Sequence, residues 1–176
     1  RDIFQNHLLQ LLALTAMEPP IDFTAEAVRN EKVKVLRAMH TPGPKSVVRG
    51  QYGRGWIEGE EVPAYREEPG VDPNSTTETY VAVRLAADTW RWADVPIAIR
   101  AGKCMPVTAT EVAIRFRRPP QDFLELGPSA SPNVLRFRIW PESEVGLTLT
   151  GKKPGAGWTA QTEDLAFAQA PGSDMR

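Results

Sequence analysis

ETYVAVRLA, residues 78–86, decides how the chain is to be read. Thr79, Val81, Val83 and Leu85 fall on one side of an extended backbone, and Glu78, Tyr80, Ala82 and Arg84 on the other. That period-two alternation is the mark of a strand with one face in a core. It recurs downstream. In 110–117 Val112, Ile114 and Phe116 alternate with Glu111, Ala113, Arg115 and Arg117, and in 134–140 Leu135, Phe137 and Ile139 alternate with Arg136, Arg138 and Trp140. Segment 145–150, VGLTLT, can pair back through Pro141–Glu144, while VPIAIRA (95–101) and SVVRGQY (46–52) also read as strands.

Before residue 46 the period is helical. Ile3, Phe4, Leu8, Leu11 and Leu12 make a stripe, broadened by Leu9 and Leu14 and stopped at Pro19-Pro20. A second helix is predicted from about Thr24 to Met39, with Val28, Val35, Leu36 and Met39 inward and Asp22 or Thr24 as its cap. Helices come first, and alternating strands follow with no helix between most of them. The fold class is therefore α+β, N-terminal helices packed on a largely antiparallel β-sheet. Residues 1–153 read as one structured region. Residues 154–176 are polar, rich in Gly and Pro and without a periodic element, and are expected to form a loosely ordered tail.

Composition narrows the classes. The chain has 176 residues, 41% hydrophobic and 24% charged, which suits a soluble globular protein with a real core. A net charge of −1 gives no general attraction to nucleic acid or anionic membranes. No apolar run approaches the roughly 20 residues of a membrane helix. A single cysteine, Cys104, rules out an internal disulfide framework and fits a cytoplasmic setting. Two histidines, His7 and His40, argue against a multi-histidine metal site. Prolines and glycines gather in 41–44, 63–73 and 118–132, read as loops.

Two stretches could carry chemistry. RDIFQNHLLQ opens the chain, and Asp2-x-x-Gln5 fits a capping box, in which Asp2 merely starts a helix. In an α-helix, residues five apart point about 140° away from each other. Asp2 and His7 could then meet one ligand only if Asp2 sat at the cap, outside the helical dihedrals. His7 among leucines is either a hydrogen-bonded core residue or a general base, and no orienting carboxylate lies near it in sequence. In IRAGKCMPVTATEV (99–112) a strand ends at Ala101-Gly102. Lys103 follows as a solvated turn residue or as a point charge for a phosphate or sugar oxygen. Cys104 beside it is an inert side chain or a thiol of lowered pKa. The arginine rows (Arg115, Arg117, Arg136, Arg138) form a basic face, expected to be solvated and paired with acids.

Taken in order, RDIFQNHLLQLLALTAMEPP, VRNEKVKVLRAM, GQY, DVPIAIRAGK and TEVAIRF resemble the glucose-6-phosphate dehydrogenase family. The resemblance runs from residue 1 to about 153. It implies the family's C-terminal substrate and dimerisation domain, built on an antiparallel sheet and joined in the family to an N-terminal Rossmann coenzyme domain. It further implies an NADP-dependent oxidoreductase of the oxidative pentose phosphate pathway, converting glucose 6-phosphate to 6-phosphogluconolactone. By resemblance, His7 is the base that takes the proton from the C1 hydroxyl, and Asp2 and Lys103 bind the substrate. Many relatives carry a second lysine at position 108; here Thr108 stands there, so that contact is lost or made through a hydroxyl. Basic residues that hold a second, structural NADP in some relatives align with Ala109 and Ala113, which argues against that site, although Arg100 and Arg138 remain.

The G-x-G-x-x-G fingerprint is absent from the sequence, as is the family's R-I-D-H-Y-x-G-K segment with the carboxylate that orients the base. The chain is therefore expected to be the middle of such an enzyme, trimmed at both ends and inactive alone. The expected partners are glucose 6-phosphate and a second copy bound through the sheet, with no nucleic acid, no membrane and no metal. The competing reading is a non-catalytic sugar-phosphate-binding or assembly domain of the same descent. A nucleic-acid module using the arginine rows has no supporting motif.

Overall fold

The computed structural model describes residues 2–118, 120–121, 132–155 and 157–168. The chain divides into two units, Arg1–Pro106 and Val107–Arg176. Helices occur only in the first among the described residues, and every strand pair is antiparallel, so the α+β class holds. No helix among the described residues is long and apolar enough to cross a membrane.

In the first unit a π-helical segment, Asp2–Leu8, runs directly into α1 (Leu9–Ala16). Helix α2 (Ala25–Arg37) begins where the sequence predicts. Thr24 Oγ1 accepts from the Ala27 N–H at 3.3 Å, and Asp22 in turn accepts from the Thr24 N–H at 2.9 Å and its hydroxyl at 2.6 Å. Glu26 in the first turn and Lys34 and Arg37 in the last suit the helix dipole. Val35 is buried, as expected, but Leu36 is 37% exposed.

The main sheet of this unit has the order β1-β4-β5, with β1 Val47–Gly50, β4 Tyr80–Leu85 and β5 Ile97–Gly102. Strand β4 is central, which explains the strength of its alternation. Val83 and Leu85 are buried beside Ala87, while Arg84 on the other face is exposed. A short hairpin, in a stretch to which the sequence reading assigns no element, joins β2 (Gly55–Ile57) to β3 (Glu60–Val62). Its two turn residues, Glu58 and Gly59, both take positive φ (51° and 88°), as a type I′ turn requires. A 3₁₀ turn, Tyr65–Glu67, follows. Glu67 reaches back to the Ala64 N–H (2.9 Å) and to Arg54 (3.0 Å), and these partners hold its carboxyl below its usual range.

The second unit is a meander, β6-β7-β8-β9, of Thr110–Arg115, Val134–Trp140, Glu144–Lys152 and Ala160–Ala168. Strand β9 corrects the expected tail. Residues 160–168 pair with β8 along its whole length, from Lys152↔Ala160 to Glu144↔Ala168. The strand hides in the sequence because most of its residues are exposed, so burial leaves no alternation to read. Residues 156 and 169–176 of that tail lie outside the described residues, as do 119 and 122–131 of the expected loop.

Two expectations follow. Leu85→Ala should cost about 2–4 kcal/mol in chemical unfolding followed by tryptophan fluorescence, because it empties a buried site on the central strand. A loss below about 1 kcal/mol would mean that this face of β4 is not packed. Glu67 has a depressed folded pKa, so its contribution to stability is present above the ordinary carboxylate range and lost as pH falls through it. The difference in melting temperature between wild type and Glu67→Gln should accordingly shrink as pH is lowered from about 7 to about 3.

Candidate active site

The opening segment departs from the expected α-helix. A π-turn closes through i→i+5 hydrogen bonds, so residues five apart return to nearly the same side. The backbone positions of residues 2 and 7 thus stand about one turn apart on one face of the segment. Asp2 lies inside the helical segment, and the cap position of α1 is Leu8, with helical dihedrals (φ −68°, ψ −39°) and no side-chain cap. Such turns are rare and frequent at functional sites. His7 is in the last turn of the segment and is exposed.

What holds this segment is α1. Ala13 and Ala16 are buried, and Trp92 Nε1 donates to the Ala16 carbonyl at 2.9 Å. Just beyond, Glu18 accepts two hydrogen bonds from Arg91, at 3.0 and 2.6 Å, which lowers its carboxyl pKa. Lys32 of α2 reaches Gln10 at 2.7 Å. So anchored, the π-helical segment lies against β5.

Strand β5 ends in the turn that carries Lys103. Gly102 pairs with Tyr80 and has no room for a side chain: a Cβ there would sit 2.8 Å from both Met105 Sδ and Tyr80 Cδ2. The Lys103 N–H donates to the Thr79 carbonyl at 2.9 Å, extending the ladder by one bond. Cys104 then takes a left-handed φ of 53°, which turns the chain away. The side chains of Lys103 and Cys104 are exposed. Of the four sequence-predicted site residues, Asp2, His7 and Lys103 belong to the first unit, the first two on the π-helical segment and Lys103 directly after the strand against which that segment lies. Thr108 belongs to the second unit, exposed, two residues before β6.

Behind the lysine turn is a group that the sequence reading left without a role. Tyr52, the last residue of Gly50-Gln51-Tyr52, donates its hydroxyl to Glu68 at 3.2 Å and stacks edge-on with Tyr65 at 5.7 Å. Partial burial, the Glu68 carboxylate and the Cys104 thiol push the phenol up to about 12, so it stays a proton donor near neutrality. The Gly-Gln-Tyr run itself was the available signal, absorbed into the reading of a strand. Nearby, Arg49, Gly50, Gln51, Arg66, Thr76 and Glu78 line an open polar groove of about 490 Å³. Its charged groups already have partners there: Arg49 pairs with Glu78 at 2.7 Å, and Arg66 donates to Gln51 at 2.9 Å. Tied to β1, it lies across β4 from the strand that bears Lys103.

The strands of the described residues do not form a Rossmann arrangement. Their ladders are all antiparallel, so they contain no strand–helix–strand unit with a parallel pair, the usual cradle for a pyrophosphate. No three His, Cys, Asp or Glu side chains converge on a possible metal position among them. In the second unit one arginine of the rows meets glutamates: Arg138 stands opposite Glu111 and Glu144 in the ladders and approaches Glu144 to 3.7 Å, whereas Arg136 faces Ala113 and Gly146 and Arg115 faces Val134.

Known proteins place this geometry. Residues 1–175 match the family described as glucose-6-phosphate dehydrogenase, C-terminal domain. The chain is 43% identical over 174 residues to the glucose-6-phosphate 1-dehydrogenase of Aggregatibacter actinomycetemcomitans, covering 97% of this chain and 35% of that one. It is 44% identical over 172 residues to the Bacillus subtilis enzyme, covering 95% and 35%. A solved structure of a glucose-6-phosphate dehydrogenase in complex with its substrate glucose-6-phosphate superposes with a TM-score of 0.83 at 37% identity, over 96% of this chain and 34% of that one. The enzyme from Mycobacterium avium gives 0.77 at 40% identity, over 97% and 35%. The chain thus spans about a third of the length of the relatives it matches. On a match that covers nearly every residue, the chain belongs to the glucose-6-phosphate dehydrogenase C-terminal domain family.

Proposed function

We propose that the chain is the substrate-binding and dimerisation part of an NADP-dependent glucose-6-phosphate dehydrogenase. The reaction is the cytoplasmic oxidation of glucose 6-phosphate to 6-phosphogluconolactone in the oxidative pentose phosphate pathway. The observation that carries this reading is the packing of the π-helical segment against β5, which brings the element of Asp2 and His7 to the strand that Lys103 directly follows. That a relative of TM-score 0.83 is described in complex with glucose-6-phosphate adds support for the substrate.

In this reading His7 accepts the proton of the sugar C1 hydroxyl as the C1–O bond becomes a carbonyl. Asp2 binds the sugar. Lys103 offers an ammonium to a substrate oxygen from a turn whose backbone is fixed, so little ordering is left to binding. Thr108 supplies a hydroxyl where many relatives have lysine. The coenzyme, held by a domain outside these residues, supplies the hydride acceptor. A homodimer through the sheet is supported by the second unit. Val112, Phe137, Val145 and Phe167 run straight across its four strands on one face, and Phe137, Val145 and Phe167 are 38%, 40% and 76% exposed.

The test is glucose-6-phosphate-dependent NADP reduction by the full-length enzyme containing these residues. His7→Asn should lower kcat about 10²–10⁴-fold while the protein stays folded. The 176-residue chain alone should show no turnover, for want of a coenzyme site, and measurable turnover by it would refute that part of the reading. A folded, coenzyme-binding wild type that is inert would mean a non-catalytic sugar-phosphate-binding domain. Gly102→Ala should cost about 1–3 kcal/mol of stability and raise the KM for glucose 6-phosphate more than it lowers kcat, since Tyr80 or Met105 must give way beside Lys103.

A further inference from the structure

Among the described residues Thr79 is the one buried polar side chain, 9% exposed. It lies one residue before β4 and is used at every polar atom it has. Its N–H donates to the Gly50 carbonyl at 2.9 Å, its carbonyl accepts from the Lys103 N–H at 2.9 Å, and its hydroxyl accepts from the Tyr52 N–H at 2.9 Å. These bonds join β1, the Gly50–Tyr52 exit and the lysine turn at a single residue, beyond the last ladder pairs Gly50↔Tyr80 and Tyr80↔Gly102.

The hydroxyl bond is the one that sequence can remove without touching the backbone. Sheet pairing alone fixes β1 only as far as Gly50. Past that point the chain is held by Gln51, which donates to the Ser75 and Thr77 carbonyls at 2.9 and 2.8 Å, and by the Thr79 hydroxyl on Tyr52. Tyr52 in turn accepts from the Tyr65 N–H through its carbonyl (3.1 Å) and bonds Glu68 through its phenol. Thr79 thereby joins the lysine turn, whose first N–H hangs on its carbonyl, to Tyr52, whose N–H hangs on its hydroxyl.

The geometry points to Thr79 as a positioning residue for Lys103: its hydroxyl ties it to Tyr52 and so steadies the carbonyl on which the lysine turn hangs, so that the lysine is presented to substrate in one place. The inference rests on the reading of Lys103 as a substrate contact. Thr79 does not itself touch substrate, and its effect is on ordering of the turn before substrate arrives.

The experiment compares Thr79→Val, nearly isosteric but without the hydroxyl, with Thr79→Ser, which keeps it, and with Lys103→Gln, all in the full-length enzyme. Thr79→Val should raise the KM for glucose 6-phosphate about tenfold, the effect of one lost buried hydrogen bond, with kcat changed less than about threefold. The KM for NADP should not move, and Thr79→Ser should restore the sugar-phosphate KM to within about threefold of wild type. Equal losses in both KM values, no rescue by serine, or a valine variant that does not fold would assign the hydroxyl to general stability and overturn the proposal. If Lys103→Gln raises the KM and Thr79→Val leaves it unchanged, the positioning role fails while the substrate contact stands. If Lys103→Gln is silent, the substrate contact fails and this inference with it.

Discussion

The hydrogen-bonded register of β4 is the constraint on which the rest of the first unit depends. It is paired on both sides, with β1 through Val47↔Val83 to Gly50↔Tyr80 and with β5 through Leu85↔Ile97 to Tyr80↔Gly102. Slipping that register by one residue would bring Val83 and Leu85 out of the core and turn Arg84 in, so burial fixes it strongly. Once it is fixed, Gly102 must lie against Tyr80, and the lysine after it must leave the sheet at the level of Thr79. The chemistry assigned to Lys103 therefore begins as a packing problem several residues away.

A second support runs through the helices. The π-helical segment runs directly into α1, whose alanines permit close burial and whose last carbonyl takes the Trp92 indole N–H. The turn that supplies Trp92 also supplies Arg91 for Glu18. The exposed ion pair contributes little by itself, while the buried alanines and the indole bond do most of the fixing. Helix α2 closes the arrangement at its far end, where the Asp88 N–H donates to the Ala38 carbonyl and Met39 bridges to Ala87.

How much of this was legible depended on burial. Strand β4 has one face in the core and one outside, so its period showed; β6 alternates half-buried with exposed residues, whereas the apolar row of β7 is exposed at Phe137 and Ile139, so the period read there marks a sheet face rather than a core. Helix α2 announced itself by Thr24 and Asp22, whose side chains take up the backbone groups that sequence rules assign to them. Strand β9 did not, because a mostly exposed edge strand has no inside face to encode. The β2–β3 hairpin was hidden by its length, three residues a side, although Glu58-Gly59 marks its turn. At the candidate site His7 and Lys103 were visible as residue types out of place. The π-turn was not visible, since nothing in the DIFQNHL composition separates an i→i+5 from an i→i+4 winding. Thr79 was read as one more member of the inward row of its strand. Its hydroxyl matters only through Tyr52, distant in sequence, and no local pattern carries that information.

The wide opening turn has a bearing on length variation. In an α-helix, side chains four apart share a face, whereas in the π-segment those five apart do so. A chain with one residue fewer between positions 2 and 7 could therefore wind as ordinary α-helix and still bring the two onto one side, with α1 undisturbed. The π-turn behaves as an absorbed insertion: the helix carries a surplus residue locally and passes none of the phase error on to the leucines that follow. Spacing in sequence and juxtaposition in space are thus separately adjustable here, and a count of residues between the acid and the histidine is a poor guide to whether they face one ligand.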